Sequence, residues 1–104
     1  MNTEDPHVME IVTFRLTADT DPVAFRQAAK AVDVLLKDRG TAVSRALVAD
    51  DDDLWTDIIE WTSMAEAKAA AEELVTDPAF APFGAMIDGA TVNMRHAVLQ
   101  HQME

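Results

Sequence analysis

The chain contains no cysteine. That excludes a disulfide framework and any zinc or iron–sulfur centre held by thiolates. Glycine occurs only three times in the 104 residues, so no glycine-rich loop is present to cradle a phosphate, and no G-x-S-x-G nucleophile elbow exists. Basic residues are also scarce: eight Lys and Arg stand against 19 Asp and Glu, for a formal charge of -11. The few basic residues are scattered, which argues against nucleic acid and against anionic membrane surfaces as partners. The apolar runs fall far short of the ~20 residues needed to span a bilayer. The opening Met1-Asn2-Thr3-Glu4-Asp5-Pro6 lacks the charged-then-apolar order of a signal peptide. What remains is a composition 49% hydrophobic and 26% charged, which is that of a globular domain. The expectation is one cytoplasmic domain over residues 1–104, with a tail at 1–7.

The pattern along the chain predicts six main elements. Val8 to Leu16 is rich in β-branched and aromatic residues and reads as a strand. Asp21 caps a helix that Pro22 opens, with a stripe of Phe25, Ala28, Ala29, Val32, Leu35 and Leu36. Gly40 ends it, after Lys37 and Arg39 at its negative end. Ala42–Ala49 and Leu54–Thr62 read as strands joined in a hairpin by the acidic turn Asp50–Asp53. Ser63 and Glu66 match a capping box before a helix over Ala67–Val75. Asp77-Pro78 breaks that helix and starts a short helical piece bearing Phe80, Phe83 and Ile87, which Gly89 closes. Thr91–Gln100 is the last strand. The order β-α-β-β-α-β is the ferredoxin-like signature: an α+β fold whose antiparallel sheet is ordered 4-1-3-2, with helices on one face.

Both faces of that sheet are apolar. Val12, Phe14 and Leu16 share one face of the first strand, and Met9 and Ile11 the other. Helices cover only one face, so the second would remain an exposed apolar patch. Pairing with a second copy, sheet against sheet, is the simplest cover.

The opening M-E-I-V-T-F-R-L (Met9 to Leu16), the run Trp61, Ser63, Ala67 and the D-P-A-F of Asp77 to Phe80 resemble the dimeric α/β-barrel superfamily. The resemblance spans about residues 8–100, and its nearest branches are the antibiotic biosynthesis monooxygenase and stress-responsive α/β-barrel families. It implies a homodimer whose sheets face each other as a barrel. It also implies pockets between sheet and helices, and activities from cofactor-independent oxygenation of aromatic polyketides to haem degradation or cyclisation. The families' site residues do not transfer as a set. Glu10 stands where stress-responsive relatives place a histidine, and Asp77 to Phe80 where they read H-P-x-H. Haem-degrading relatives carry an asparagine at the place of Phe14 and a histidine near Phe83. The monooxygenases' glutamate falls at Ile59, one residue from Glu60, whereas their tryptophan is matched by Trp61.

From the residues themselves, Glu10 and Glu60 are expected as neighbours across strands one and three, with His96 or His101 near the same end. Paired carboxylates beside apolar side chains form a general base or acid. Trp55, Asp57, Ile59 and Trp61 share a face, with Arg15 within reach of Asp57. They suit a flat aromatic ligand, and the open-face argument favours them instead as dimer packing. His7, His96 and His101 have no metal-ligand spacing, and Asp50–Asp53 lacks the glycine and distant glutamate of a calcium loop. No metal and no cofactor is expected.

Two functions follow. One is a monooxygenase-like enzyme that binds an aromatic or polyketide-like molecule near Phe14, Trp55, Trp61 and Phe83. Glu10, Glu60 or His96 is its catalytic group, and oxygen reacts with the resulting carbanion without a cofactor. The other is a non-catalytic dimeric barrel, a binding or accessory protein.

Overall fold

A computed structural model describes residues 5–104; of the expected tail, residues 1–4 lie outside the described part. Strand β1 (Val8–Phe14) leads to helix α1 (Pro22–Arg39), then to β2 (Ala42–Ala49) and β3 (Trp55–Trp61). Helix α2 (Met64–Glu73) and short α3 (Ala81–Ala85) follow, linked by 3-10 turns at Leu74–Thr76 and Pro78–Phe80, and β4 (Asn93–Val98) completes the sheet. The strands are ordered β2-β3-β1-β4 and all pair antiparallel. This is the ferredoxin-like α+β topology. No helix among the described residues is long and apolar enough to cross a membrane.

The ends of the elements follow local chemistry. The Asp21 carboxylate accepts from Val23 N–H, with Pro22 at the first helical position, and Gly40 ends α1 in the left-handed region at φ 82°, its N–H bonded to Leu36 O. Ser63 Oγ accepts the Glu66 N–H at 3.1 Å, so α2 begins at Met64, three residues before the expected Ala67. The other half of the capping box is not made: among the described residues no bond returns from the Glu66 side chain. In the β2–β3 turn, Asp50 Oδ1 accepts from Asp52 N and Leu54 N, and Asp53 takes φ 62°. The acidic run is therefore turn chemistry.

β1 stops at Phe14 rather than Leu16. The chain turns away there to meet the end of α3: Thr17 N donates to Met86 O and Asp88 N to Arg15 O. Gly89 does not close the short helix, which ends at Ala85; it starts a 3-10 turn capped by Asp88. That turn uses Thr91, so β4 begins at Asn93. His7, the last residue of the expected tail, is tied to the sheet. His7 O accepts from Leu99 N, and His7 Nδ1 lies 2.6 Å from Glu60 Oε2.

The core lies between the sheet and the helices. Val8, Phe14, Trp55, Ile59 and Trp61 enter it from the sheet, and Phe25, Ala29, Val32, Leu36, Ala67, Ala70 and Phe83 from the helical layer. Phe25 is its hub. It stacks on Phe83 with ring centroids 4.5 Å apart and meets Trp55 and Phe14 edge-on at 5.1 and 5.7 Å. Such pairs add about 0.5–1.5 kcal/mol each beyond their buried area. The tryptophans are thus packed within one chain, which corrects their reading as interface residues. The uncovered face instead carries Met9, Ile11, Ala46, Val48, Ile58 and Ala97, interspersed with Thr13, Ser44, Thr56, Glu60, Asn93 and Arg95, as the strand registers dictate.

Candidate functional site

Between the sheet and the helical layer lies a cavity of about 300 Å³. Its floor is the covered face of β1 and β3, where alternation aims Glu10, Val12 and Phe14 from one strand and Asp57, Ile59 and Trp61 from the other. Its walls are Val32 and Leu36 of α1, Ala70 and Ala71 of α2, and Phe80 and Phe83 around α3. Val75, Val92 and Met94 line it while remaining 56%, 44% and 44% exposed, so they form an apolar rim where it opens to solvent. Most of this lining is aliphatic or aromatic. Small-molecule sites have this character: apolar walls with a few placed polar groups.

The polar groups fall in two clusters. The first is Glu10 with His96. Their positions are register partners on adjacent strands, so both side chains point to the covered face. His96 Nε2 lies 3.1 Å from Glu10 Oε1, with Glu10 buried and His96 largely so. Burial raises the Glu10 pKa above the ordinary carboxyl value, and the Asp57 charge adds to this. The hydrogen bond and charge of His96, and the nearby Trp61 indole, oppose it without cancelling it. A carboxylate held this way is a stronger base than one in water. Trp61 Nε1 is buried near Glu10 and makes no hydrogen bond of ordinary geometry among the described residues, so an acceptor atom on a ligand would satisfy it.

The second cluster is Arg45 with Asp57. Arg45 Nε and NH2 donate to Asp57 Oδ1 and Oδ2 at 2.9 and 2.6 Å. Its NH1 donates to Ala29 O and Asp33 Oδ1, both at 3.0 Å. The guanidinium carbon lies 5.2 Å from the Phe83 ring centroid. Burial works against the Arg45 charge; the hydrogen bonds and charge of Asp57, then of Asp33, outweigh it and raise its pKa.

The structure brings Glu10, His96, Phe14, Trp61 and Phe83 to one site. It does not bring Glu60 there. Glu60 is the register partner of Met9, whereas Glu10 is opposite Ile59. A displacement of one residue along a strand reverses the face, so the two carboxylates lie on opposite sides of the sheet and Glu60 pairs with His7 instead. His101 lies past the end of β4 and is exposed. Trp55 packs on Phe25 outside the cavity and borders a separate depression with Arg15 and Leu16. Arg15 does not reach Asp57; its NH1 donates to Asp52 O at 2.6 Å. Sequence reasoning missed Arg45, the partner that Asp57 takes instead. The available signal was a charged residue at an inward position of β2, one step diagonal from inward Asp57, where Leu47 is the direct partner of Asp57.

These features define the class of the protein as a ferredoxin-like α+β chain with a mostly apolar helix-side cavity, in whose floor stands a carboxylate bonded to a histidine. It shares its fold with antibiotic biosynthesis monooxygenase-like proteins. The chain is similar to SnoaB, a cofactor-independent oxygenase from Streptomyces nogalater, at 17% identity and a TM-score of 0.63 over 95% of this chain and 96% of that one. It is similar to a putative antibiotic biosynthesis monooxygenase from Chloroflexus aurantiacus at 16% identity and a TM-score of 0.66, covering 94% and 97% of the two chains. A third is Rv0793 from Mycobacterium tuberculosis, at 19% identity and a TM-score of 0.57 over 94% and 97%. No family model matches the chain, and no curated protein matches it.

Proposed function

We propose that this protein binds a small aromatic or polyketide-like molecule in the helix-side cavity and oxygenates it without a cofactor. The observation that carries the reading is buried Glu10, hydrogen-bonded to His96, in the floor of a mostly apolar, open-mouthed cavity. Fold similarity to a cofactor-independent oxygenase supports it.

The chemistry suits a ring CH2 whose carbanion is conjugated with a ring carbonyl, as in an anthrone. Glu10 takes one proton, and the carbanion is stabilised as its enolate. The carbanion gives electrons to molecular oxygen, a C–O bond forms, and the resulting peroxide is protonated. Loss of water converts the carbon to a carbonyl. The carbon has then given up four electrons; one oxygen atom stays in the product and the other leaves as water. Phe14, Phe83 and the aliphatic wall hold the ring plane, and Trp61 Nε1–H donates to the ring carbonyl oxygen, where enolate charge develops. His96 holds Glu10 in place and shares its proton.

In this reading a second copy packs against the uncovered sheet face, and two sheets close into a barrel. The apolar residues Met9, Ile11, Val48 and Ile58 on that face support the pairing.

Oxygen consumption with an anthrone tests the activity. Wild-type protein is expected to consume oxygen above the uncatalysed rate, and Glu10→Gln to lose about 10²–10⁴-fold. An anthrone that raises the melting temperature with no oxygen uptake would favour the binding or accessory role. Full activity in Glu10→Gln would remove Glu10 as the base.

A further inference from the structure

We infer that the cavity admits uncharged ligands and turns away anions, and that Asp57 enforces this by occupying Arg45. The inference rests on the small-molecule reading of the cavity and specifies its ligand class.

Arg45 is the only Lys or Arg among the described residues lining the cavity. A lone arginine in an apolar pocket would ordinarily be the anchor for a carboxylate or phosphate. Here no edge offers the pair of free donors such an anchor needs, and only one N–H, on NH2, is left untaken. A guanidinium has five N–H donors. Nε and NH2 each give one to Asp57, and NH1 gives its two to Ala29 O and Asp33 Oδ1. One of its faces lies toward the Phe83 ring. The acceptors come from both α1 and β3, so Arg45 cannot swing toward a ligand without abandoning one layer. His96, which is outside the cavity lining, is bonded to the floor residue Glu10.

An anion entering the cavity would lose its water and find every cation already paired. It would also face the carboxylates of Glu10 and Asp57, where like charges repel strongly at low dielectric. An uncharged ring meets apolar walls and the unpartnered Trp61 N–H, and incurs neither cost.

Titration calorimetry with 1-naphthol and 1-naphthoate at neutral pH tests this, because the two share a ring system and differ in charge. Wild-type protein is expected to bind naphthol at least about tenfold more tightly than naphthoate. Asp57→Asn releases one edge of Arg45 and removes a negative charge. It should strengthen naphthoate binding by about tenfold or more and change naphthol binding by less than about threefold. Glu10→Gln leaves the Arg45–Asp57 pair intact; it should narrow the gap in the same direction, and it carries the variant arm if Asp57→Asn does not fold. Ala71→Leu, which adds bulk to the cavity wall, should weaken naphthol binding by about tenfold or more.

Equal wild-type affinity for the two probes would overturn the charge selection and leave the cavity reading standing. So would variants that bind naphthoate no better than wild type, or naphthoate bound more tightly than naphthol. Binding of neither probe, or naphthol binding left unchanged by Ala71→Leu, would overturn the cavity reading and this inference with it.

Discussion

Glu10 couples the proposed chemistry to stability. Its folded pKa is raised above the ordinary value of 4.5, chiefly by burial. The folded protein therefore holds this proton more tightly than the unfolded chain does. The associated stabilisation is fully present below the unfolded pKa and is lost as pH rises through the folded one. Glu10→Gln has no such proton. The difference in melting temperature between the two proteins should therefore shift in the variant's favour from mildly acidic to neutral pH. A difference that moves the other way would mean that His96, rather than burial, controls Glu10. Arg45 gives a second prediction at this scale. Arg45 and Asp57 are 9% and 8% exposed at their side chains, so Arg45→Met leaves a buried, uncompensated carboxylate. Urea unfolding should show a loss of about 3–5 kcal/mol, most of it recovered in the Arg45→Met, Asp57→Asn double variant.

At the level of elements, the terminators carry energy that can be read separately from the core. Gly40 sits at φ 82° with open space where a Cβ would go. Gly40→Ala should therefore cost only the left-handed backbone penalty, about 1–2 kcal/mol. Gly89 has equally open surroundings and no positive φ, so Gly89→Ala should change stability by less than about 0.5 kcal/mol. Ser63→Ala removes the acceptor for Glu66 N–H and should cost about 1 kcal/mol. Chemical denaturation of the three variants checks this ranking. Gly40 and Ser63 were legible in the sequence because each is local: a cap and a helix-ending glycine act within a few residues of themselves, whereas Gly89 reads as a terminator and is not one. The end of β1 was not legible either. Arg15 and Leu16 continue the strand pattern, yet backbone bonds to Met86 and Asp88, some seventy residues away along the chain, pull them out of the sheet.

For the molecule as a whole, the uncovered face is the remaining question of packing. Ile11 and Ile58 are direct partners at its centre. If a second copy covers them, wild-type protein should run as a dimer in light scattering at micromolar concentration. Ile58→Glu should run as a monomer, since a buried unpaired charge in the interface costs several kcal/mol. A monomeric wild type would end the barrel proposal while leaving the helix-side cavity untouched, because its described lining comes from one chain.

The sequence by itself determined the order of elements, the antiparallel topology, the α1 stripe and the sharing of one face by Glu10, Val12 and Phe14. Period and connection length dictate all of these, and both are properties of neighbouring residues. The tertiary structure alone decided which charged groups meet. Glu10 has His96 because their strands pair in that register, and Glu60 is excluded because it stands one residue out of phase. Asp57 has Arg45 rather than Arg15 because β2 presents its arginine from the covered side, where α1 also supplies Asp33 and the Ala29 carbonyl. Registers and layer packing fix these pairs over long separations, and a strand pattern contains no record of its partner's phase.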